Sequence, residues 1–217
     1  MNLDFLLIVS VLILSVVVHE VAHAWQARRE GDHTADELGR ITLNPLPHLD
    51  LMGSFLVPLF LYFAGGGVIF GWAKPVPIVP ANFRHHPGSD IRVSLAGIVS
   101  NLALAVIFTL LGASVAAASG LLGAGISGIL LTLARYGIFI NLLLAFFNLL
   151  PIPPLDGSHV VANLLPREMA VRYRNLGRYG VPVLLLLVFL VPSALDVVLA
   201  PVYWLLGWAD SFMRLWT

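Results

Sequence analysis

From residue 93 to residue 134 the chain runs for 42 positions without one ionisable side chain. A helix or strand facing water over that length needs a polar face, so an ordinary soluble fold is excluded here. Crossing hydrocarbon as a helix takes about 20 apolar residues. The stretch holds two such helices, with the small-residue tract 119–128 as the turn between them. Residues 3–18 form another apolar run, and residues 136–155 continue the second helix into Pro151-Ile152-Pro153-Pro154. Residues 181–209 carry one charge, Asp196, and the pattern reads as interrupted at Pro192 and Pro201. Residues 51–71 are free of ionisable groups but contain Pro58 and Gly65-Gly66-Gly67. Only 11% of the chain is Asp, Glu, Lys or Arg, against about a quarter in soluble domains. The expected fold is an all-α, multi-pass integral membrane protein, with residues 1–217 forming a single membrane-embedded domain.

Charge distribution narrows the topology. If residues 51–71 dip into the bilayer and return, ten basic residues share one face: Arg28, Arg29, Arg40, Lys74, Arg84, Arg92, Arg167, Arg172, Arg174 and Arg178. Only Arg135 and Arg214 fall on the other. The positive-inside rule makes the ten-residue face cytoplasmic. About four spanning helices plus one re-entrant segment follow. The first segment opens Met-Asn-Leu-Asp; without a positive n-region it reads as a retained helix, not a cleaved signal. Formal net charge is zero and no basic run exists, which argues against nucleic acid as a partner. There are no cysteines, so disulfides, thiol nucleophiles and thiolate ligands are out, and any metal must use His and carboxylate.

His19-Glu20-Val21-Ala22-His23 ends the first apolar run. Residues four apart share a helix face, so both imidazoles can reach one metal, and Glu20 between them can take a proton from water. Ionisable groups at membrane depth are costly and usually functional. A zinc site wants a third protein ligand. Asp156, following a charge-free stretch and the proline run, is the candidate; in its local context it serves equally as the cap of a short helix over residues 157–165. Topology separates the two readings. With a re-entrant second segment, the helices bearing the histidines and Asp156 run parallel and their ends meet. With five full crossings they lie on opposite sides of the membrane. Asn101 and Asn141, inside apolar helices, are expected to hydrogen-bond between helices. His159 and His48 read as interfacial or capping groups, His85 and His86 as exposed, and Arg172, Arg174 and Arg178 as headgroup contacts.

The pair His19-Glu20-x-x-His23 and Asn148-x-x-Pro151-x-x-x-x-Asp156-Gly157 resembles the site-2 protease family of intramembrane zinc metalloproteases. The stretches Gly39-Arg40-x-Thr42-Leu43-Asn44-Pro45 and Gly71-Trp72-Ala73-Lys74-Pro75-Val76-Pro77 resemble a short prokaryotic branch without an attached sensor domain. The resemblance covers roughly residues 16–160. Ile98 stands where many relatives have proline, in Ala96-Gly97-Ile98-Val99-Ser100-Asn101. It implies one Zn²⁺ held by His19, His23 and Asp156 within the membrane near the cytoplasmic face, Glu20 as general acid/base, and Asn148 as a substrate-holding residue. The partner it implies is a transmembrane segment of another membrane protein, cut within the bilayer of a prokaryotic plasma membrane. Residues 65–80, rich in Gly, Val, Ile and Pro, would bind the unwound segment by β-augmentation. The alternatives are a divalent-metal transporter and a non-catalytic zinc-binding membrane protein.

Overall fold

A computed structural model describes residues 3–50, 74–180, 182 and 192–216. The expected re-entrant segment, residues 51–71, lies outside the described residues. Among the described residues every regular element is helical. Helix α1 is Leu3–Glu30, α2 Gly88–Ala117, α3 Ala124–Asn148, α4 Asp156–Leu164, α5 Arg167–Asn175 and α6 Pro192–Arg214. The first three, of 28, 30 and 25 residues, are long and apolar enough to cross a membrane. Their outward faces carry Leu6, Leu14, Val106, Leu110 and Ile126, as a lipid-facing surface requires.

The turn between α2 and α3 falls where the small residues are. A one-turn helix, Ser119–Leu122, is followed by Gly123 at φ 75°, a left-handed conformation that glycine adopts without steric cost. Helix α6 departs from expectation. It spans Pro192–Arg214 and continues through Pro201, so that proline does not interrupt it; the residues just before Pro192 lie outside the described residues. Proline at a helix start has no N–H to lose, and a helix tolerates an internal one where neighbouring groups re-satisfy the freed carbonyl.

Contacts fix the directions of the helices. Ser15 meets Asn141, while Asp4 faces the Tyr136 hydroxyl, so α1 and α3 run parallel. His23 meets Val93 and His19 meets Asn101, so α2 runs against both. The core between them is Val11, Ala105, Phe108, Ile138, Ile140 and Leu142, closed on one side by Val202, Ala209 and Met213 of α6.

At the opposite end of α1, buried carboxylates tie the loops to the helices. Glu30 accepts from Arg92 Nε at 2.6 Å and Nη2 at 2.7 Å, and from Ser89 Oγ at 2.7 Å. Asp32, fully buried, accepts from the Thr34 hydroxyl, the Thr34 and Val79 amides and Asn82 Nδ2. Burial pushes the Asp32 carboxyl up, but the Thr34 hydroxyl, Val79 amide and Asn82 bonds outweigh it and hold it below the usual carboxylate range. Residues 74–79 thereby become a fixed strap. Arg40 Nη2 donates to Lys74 O at 2.9 Å and Pro75 O at 3.3 Å, and Val79 N donates to Asp32 at 2.7 Å.

Candidate metal centre

The histidines sit one turn apart on α1 and face α2. Helix α2 presents Asp90, Val93, Gly97 and Asn101, at steps of three and four residues, on one buried face. Gly97 is the point of closest approach. A Cβ there would overlap His23 Nε2 and would lie 2.5 Å from His19 Cε1 and 2.7 Å from His19 Nδ1. Only a residue without a side chain lets both rings, set nearly perpendicular to each other, approach this helix so closely.

The hydrogen bonds behind the rings decide where their protons are. Gly137 O can only accept, so the Asn141 atom 2.9 Å from it is Nδ2, which also donates to Ser15 Oγ at 2.8 Å. Asn141 Oδ1 therefore accepts from Asn101 Nδ2 at 2.8 Å, which turns Asn101 Oδ1 toward His19 Nδ1 at 2.6 Å. An amide oxygen cannot donate, so His19 Nδ1 carries the proton. His23 Nδ1 donates in the same way to Val93 O at 2.7 Å. In the neutral rings both Nε2 atoms are left with bare lone pairs.

Those two lone pairs converge with a carboxylate. His19 Nε2 and His23 Nε2 are 3.0 Å apart, and Asp156 Oδ2 lies 3.2 Å from each. Asp156 Oδ2 is buried and makes no hydrogen bond. A triangle of three acceptors at this spacing repels itself unless a cation sits among them. A tetrahedral zinc with bonds of about 2.0–2.1 Å holds its ligand atoms about 3.3–3.4 Å apart, close to the edges observed. The donor set of two imidazoles and a carboxylate, each imidazole oriented by its other nitrogen, fits that ion. Among the described residues this is the one group of three His, Cys, Asp or Glu side chains so arranged.

Asp156 is the first residue of α4, and Leu155 occupies the cap position without a side-chain capping bond. The capping role open in the sequence is thus not what the carboxylate does. Gly157, the residue after Asp156, provides clearance. It lies within the helix, and a Cβ there would meet Leu149 O and approach Leu149 C at 2.6 Å and Leu150 O at 2.8 Å. Its bareness lets α4 start directly against the end of α3, which sets the height of Asp156.

The other candidates are placed nearby but apart. Glu20 sits on the adjoining face of α1 and accepts from the Val76 amide at 2.8 Å, so the strap of residues 74–79 grips one carboxylate oxygen. Asn148, half-buried at the end of α3, donates from Nδ2 to Leu144 O at 3.0 Å. His159 turns away from the triangle toward Asp90, 4.0 Å distant. His48 is fully buried and bonds Thr42 O, while its own carbonyl accepts from Lys74 N. Arg174 contacts Asn163 as well as lying near Asp90. Sequence reasoning anticipated Asn101 and Asn141 as links between helices but not that they end on His19. The available signal was Ser15, one turn before His19 on the same face.

Comparison with known proteins bears on this arrangement. Residues 115–190, which include Asn148 and Asp156, match the model of peptidase family M50. YwhC of Bacillus subtilis (strain 168), which carries the name of a zinc metalloprotease, is 40% identical over 181 residues, 83% of this chain and 78% of its own. Rip2 of Mycobacterium tuberculosis (strain H37Rv), similarly named, is 32% identical over 211 residues, 97% of this chain and 77% of its own. MJ0611 of Methanocaldococcus jannaschii is 40% identical over 75 residues, 35% of each chain. No solved structure matches the chain significantly. Similarity of this extent to two bacterial relatives, together with the family match over the Asp156 half, shows that the chain belongs to peptidase family M50, the site-2 protease family.

Proposed function

We propose that this zinc metalloprotease cuts transmembrane segments of other membrane proteins, with His19, His23 and Asp156 as its metal ligands. The observation that carries the reading is the triangle of two imidazole nitrogens and a carboxylate oxygen, 3.0–3.2 Å on edge, set in a protein whose helices suit a bilayer. By the basic-residue asymmetry, the triangle lies near the cytoplasmic face of the bilayer. About four crossings and a re-entrant segment complete the reading, with residues 1–217 as one membrane-embedded domain.

When bound, zinc supplies a Lewis acid that polarises the scissile carbonyl and makes water nucleophilic near neutral pH. The rest of the work falls to the chain. Asn101 and the Val93 carbonyl hold the imidazoles in the tautomer that presents Nε2. Glu20, steadied by the Val76 amide, takes the proton of the attacking water and passes it to the leaving amine. Asn148, where the helix gives way to the proline run, holds the substrate backbone. A substrate helix hides its peptide bonds and must unwind before attack. The extended strap against Glu20 lies where an unwound segment would pass.

A metal transporter fits less well. Along α1 the site is backed by Ser15, Asn101 and Asn141 bonded to one another, and then by Val11, Ala105, Phe108 and Ile138. That apolar block offers a cation no polar path. The test is to co-express the chain and its Glu20→Gln form with single-pass membrane proteins. Metal-dependent fragments are expected from the wild type, and none from Glu20→Gln, which still holds zinc. Cleavage by Glu20→Gln at the wild-type rate would remove Glu20 as the base.

A further inference from the structure

Asp90, in the first turn of α2, is a buried carboxylate that the proposed chemistry does not use: its side chain is 7% exposed. Asn163 Nδ2, from α4, donates to Asp90 Oδ2 at 2.6 Å and also to His159 O at 2.8 Å. Arg174, from α5, donates to Asn163 Oδ1 at 3.3 Å and lies 3.8 Å from Asp90 Oδ2. His86 and His159 stand 4.0 Å from the same carboxylate. One acid thus gathers the donors of α4 and α5.

Register gives this cluster a purpose. Asp156 and Asn163 are seven residues apart on α4, and seven residues of an α-helix make two turns, so they share a face. Asp90 and Gly97 are also seven apart on α2. The two helices are pinned to each other at matching points about 10 Å apart. Asn163 meets Asp90 at one end, and Asp156 reaches the histidines over Gly97 at the other. A nine-residue helix is too short to hold its place unaided; Gly157 against Leu149 sets its height, and the Asp90 end holds it against α2. Helix α2 then sets all three ligand positions: His19 through Asn101, His23 through Val93 O, and Asp156 through Asp90 and Asn163.

We propose that Asp90 is a positioning residue of the metal centre, acting through Asn163 and Arg174 to hold Asp156 at ligand distance. This rests on the reading of Asp156 as a ligand. The test uses the full chain purified in detergent. It measures zinc retention against a chelator, the visible spectrum of the cobalt(II)-loaded protein, and amide exchange across residues 157–164 without metal. Asp90→Ala and Asn163→Asp should each weaken retention about 10- to 100-fold, the usual effect of removing a group that orients a ligand. Both should alter the cobalt spectrum and speed exchange in α4. The exchanged pair, Asp90→Asn with Asn163→Asp, restores one donor facing one carboxylate beside Arg174 and should recover most of the loss. Wild-type retention and spectrum in Asp90→Ala, or a double variant no better than Asn163→Asp alone, would overturn the proposal. Asp156→Ala separates the two layers. If it loses zinc while Asp90→Ala behaves as wild type, only the positioning role fails; if it keeps zinc, the ligand reading fails and the positioning role with it.

Discussion

Replacing Gly97 with Ala adds one methyl group at the point where α2 touches both histidines. In isolation the change favours the helix, since Ala outranks Gly there by about 0.5–1 kcal/mol. The new Cβ, however, lies 2.5 Å and 2.7 Å from His19 Cε1 and Nδ1 and overlaps His23 Nε2. Ordinary apolar contact begins near 3.5 Å, so α1 and α2 must part by about 1 Å or the rings must rotate. Overpacking of this size costs about 1–3 kcal/mol. The net loss of stability is therefore small, and the protein should remain folded. The site should not survive unchanged, because either response pulls His19 from Asn101 or His23 from Val93 O. Metal affinity should fall about 10- to 100-fold. Gly128→Ala, where nothing lies within 4 Å of the added carbon, is the matched control. Competition with a graded zinc chelator, read alongside thermal unfolding in the same detergent, separates the two effects. Wild-type zinc affinity in Gly97→Ala would refute the argument that clearance at this residue shapes the site.

Two further outcomes are expected. Asp32 has a lowered folded-state value, so its hold on the strap is complete above its unfolded value of about 3.9 and is lost as pH falls through the folded one. Protection of the amides across residues 76–82, taken relative to the intrinsic exchange rate at each pH, should fall on acidification below about pH 4 in the wild type; Asp32→Asn should be less protected at neutral pH with a flatter acid limb, and identical profiles would exclude Asp32 as the anchor. In this cysteine-free chain, Leu121→Cys at the exposed α2–α3 turn and His85→Cys before α2 should react with impermeant reagents from opposite sides of the membrane; reaction from one side alone would defeat the orientation.

What could be read in the sequence follows from how each feature is written there. The metal motif on α1 is contiguous, so periodicity alone places His19 and His23 on one face. Asp156 required topology, because its partners are far away in sequence and its local context suits a cap. The part of Gly157 could not be read for a related reason: a glycine needed for clearance looks the same as one needed for backbone freedom until the opposing carbonyls of Leu149 and Leu150 are seen. Asp90, Glu30 and Asp32 were missed because charges beside polar loops resemble solvated groups, yet each is buried and paired. Arg174 was read as a headgroup contact, and its links to a partner 11 residues back and to a carboxylate on another helix could not be read from the sequence. Pro201 was read as an interruption and lies inside α6, because stopping the helix there would strand more backbone groups than the proline frees.

The central claim is that two imidazoles and one carboxylate of this chain hold a catalytic zinc. Zinc K-edge X-ray absorption on the purified wild type tests it most directly, since multiple scattering counts the imidazoles. The account predicts about one zinc per chain in a four-coordinate shell of nitrogen and oxygen at about 2.0–2.2 Å with two imidazoles. A shell with three or four imidazoles, or stoichiometric absence of zinc after gentle extraction, would contradict it.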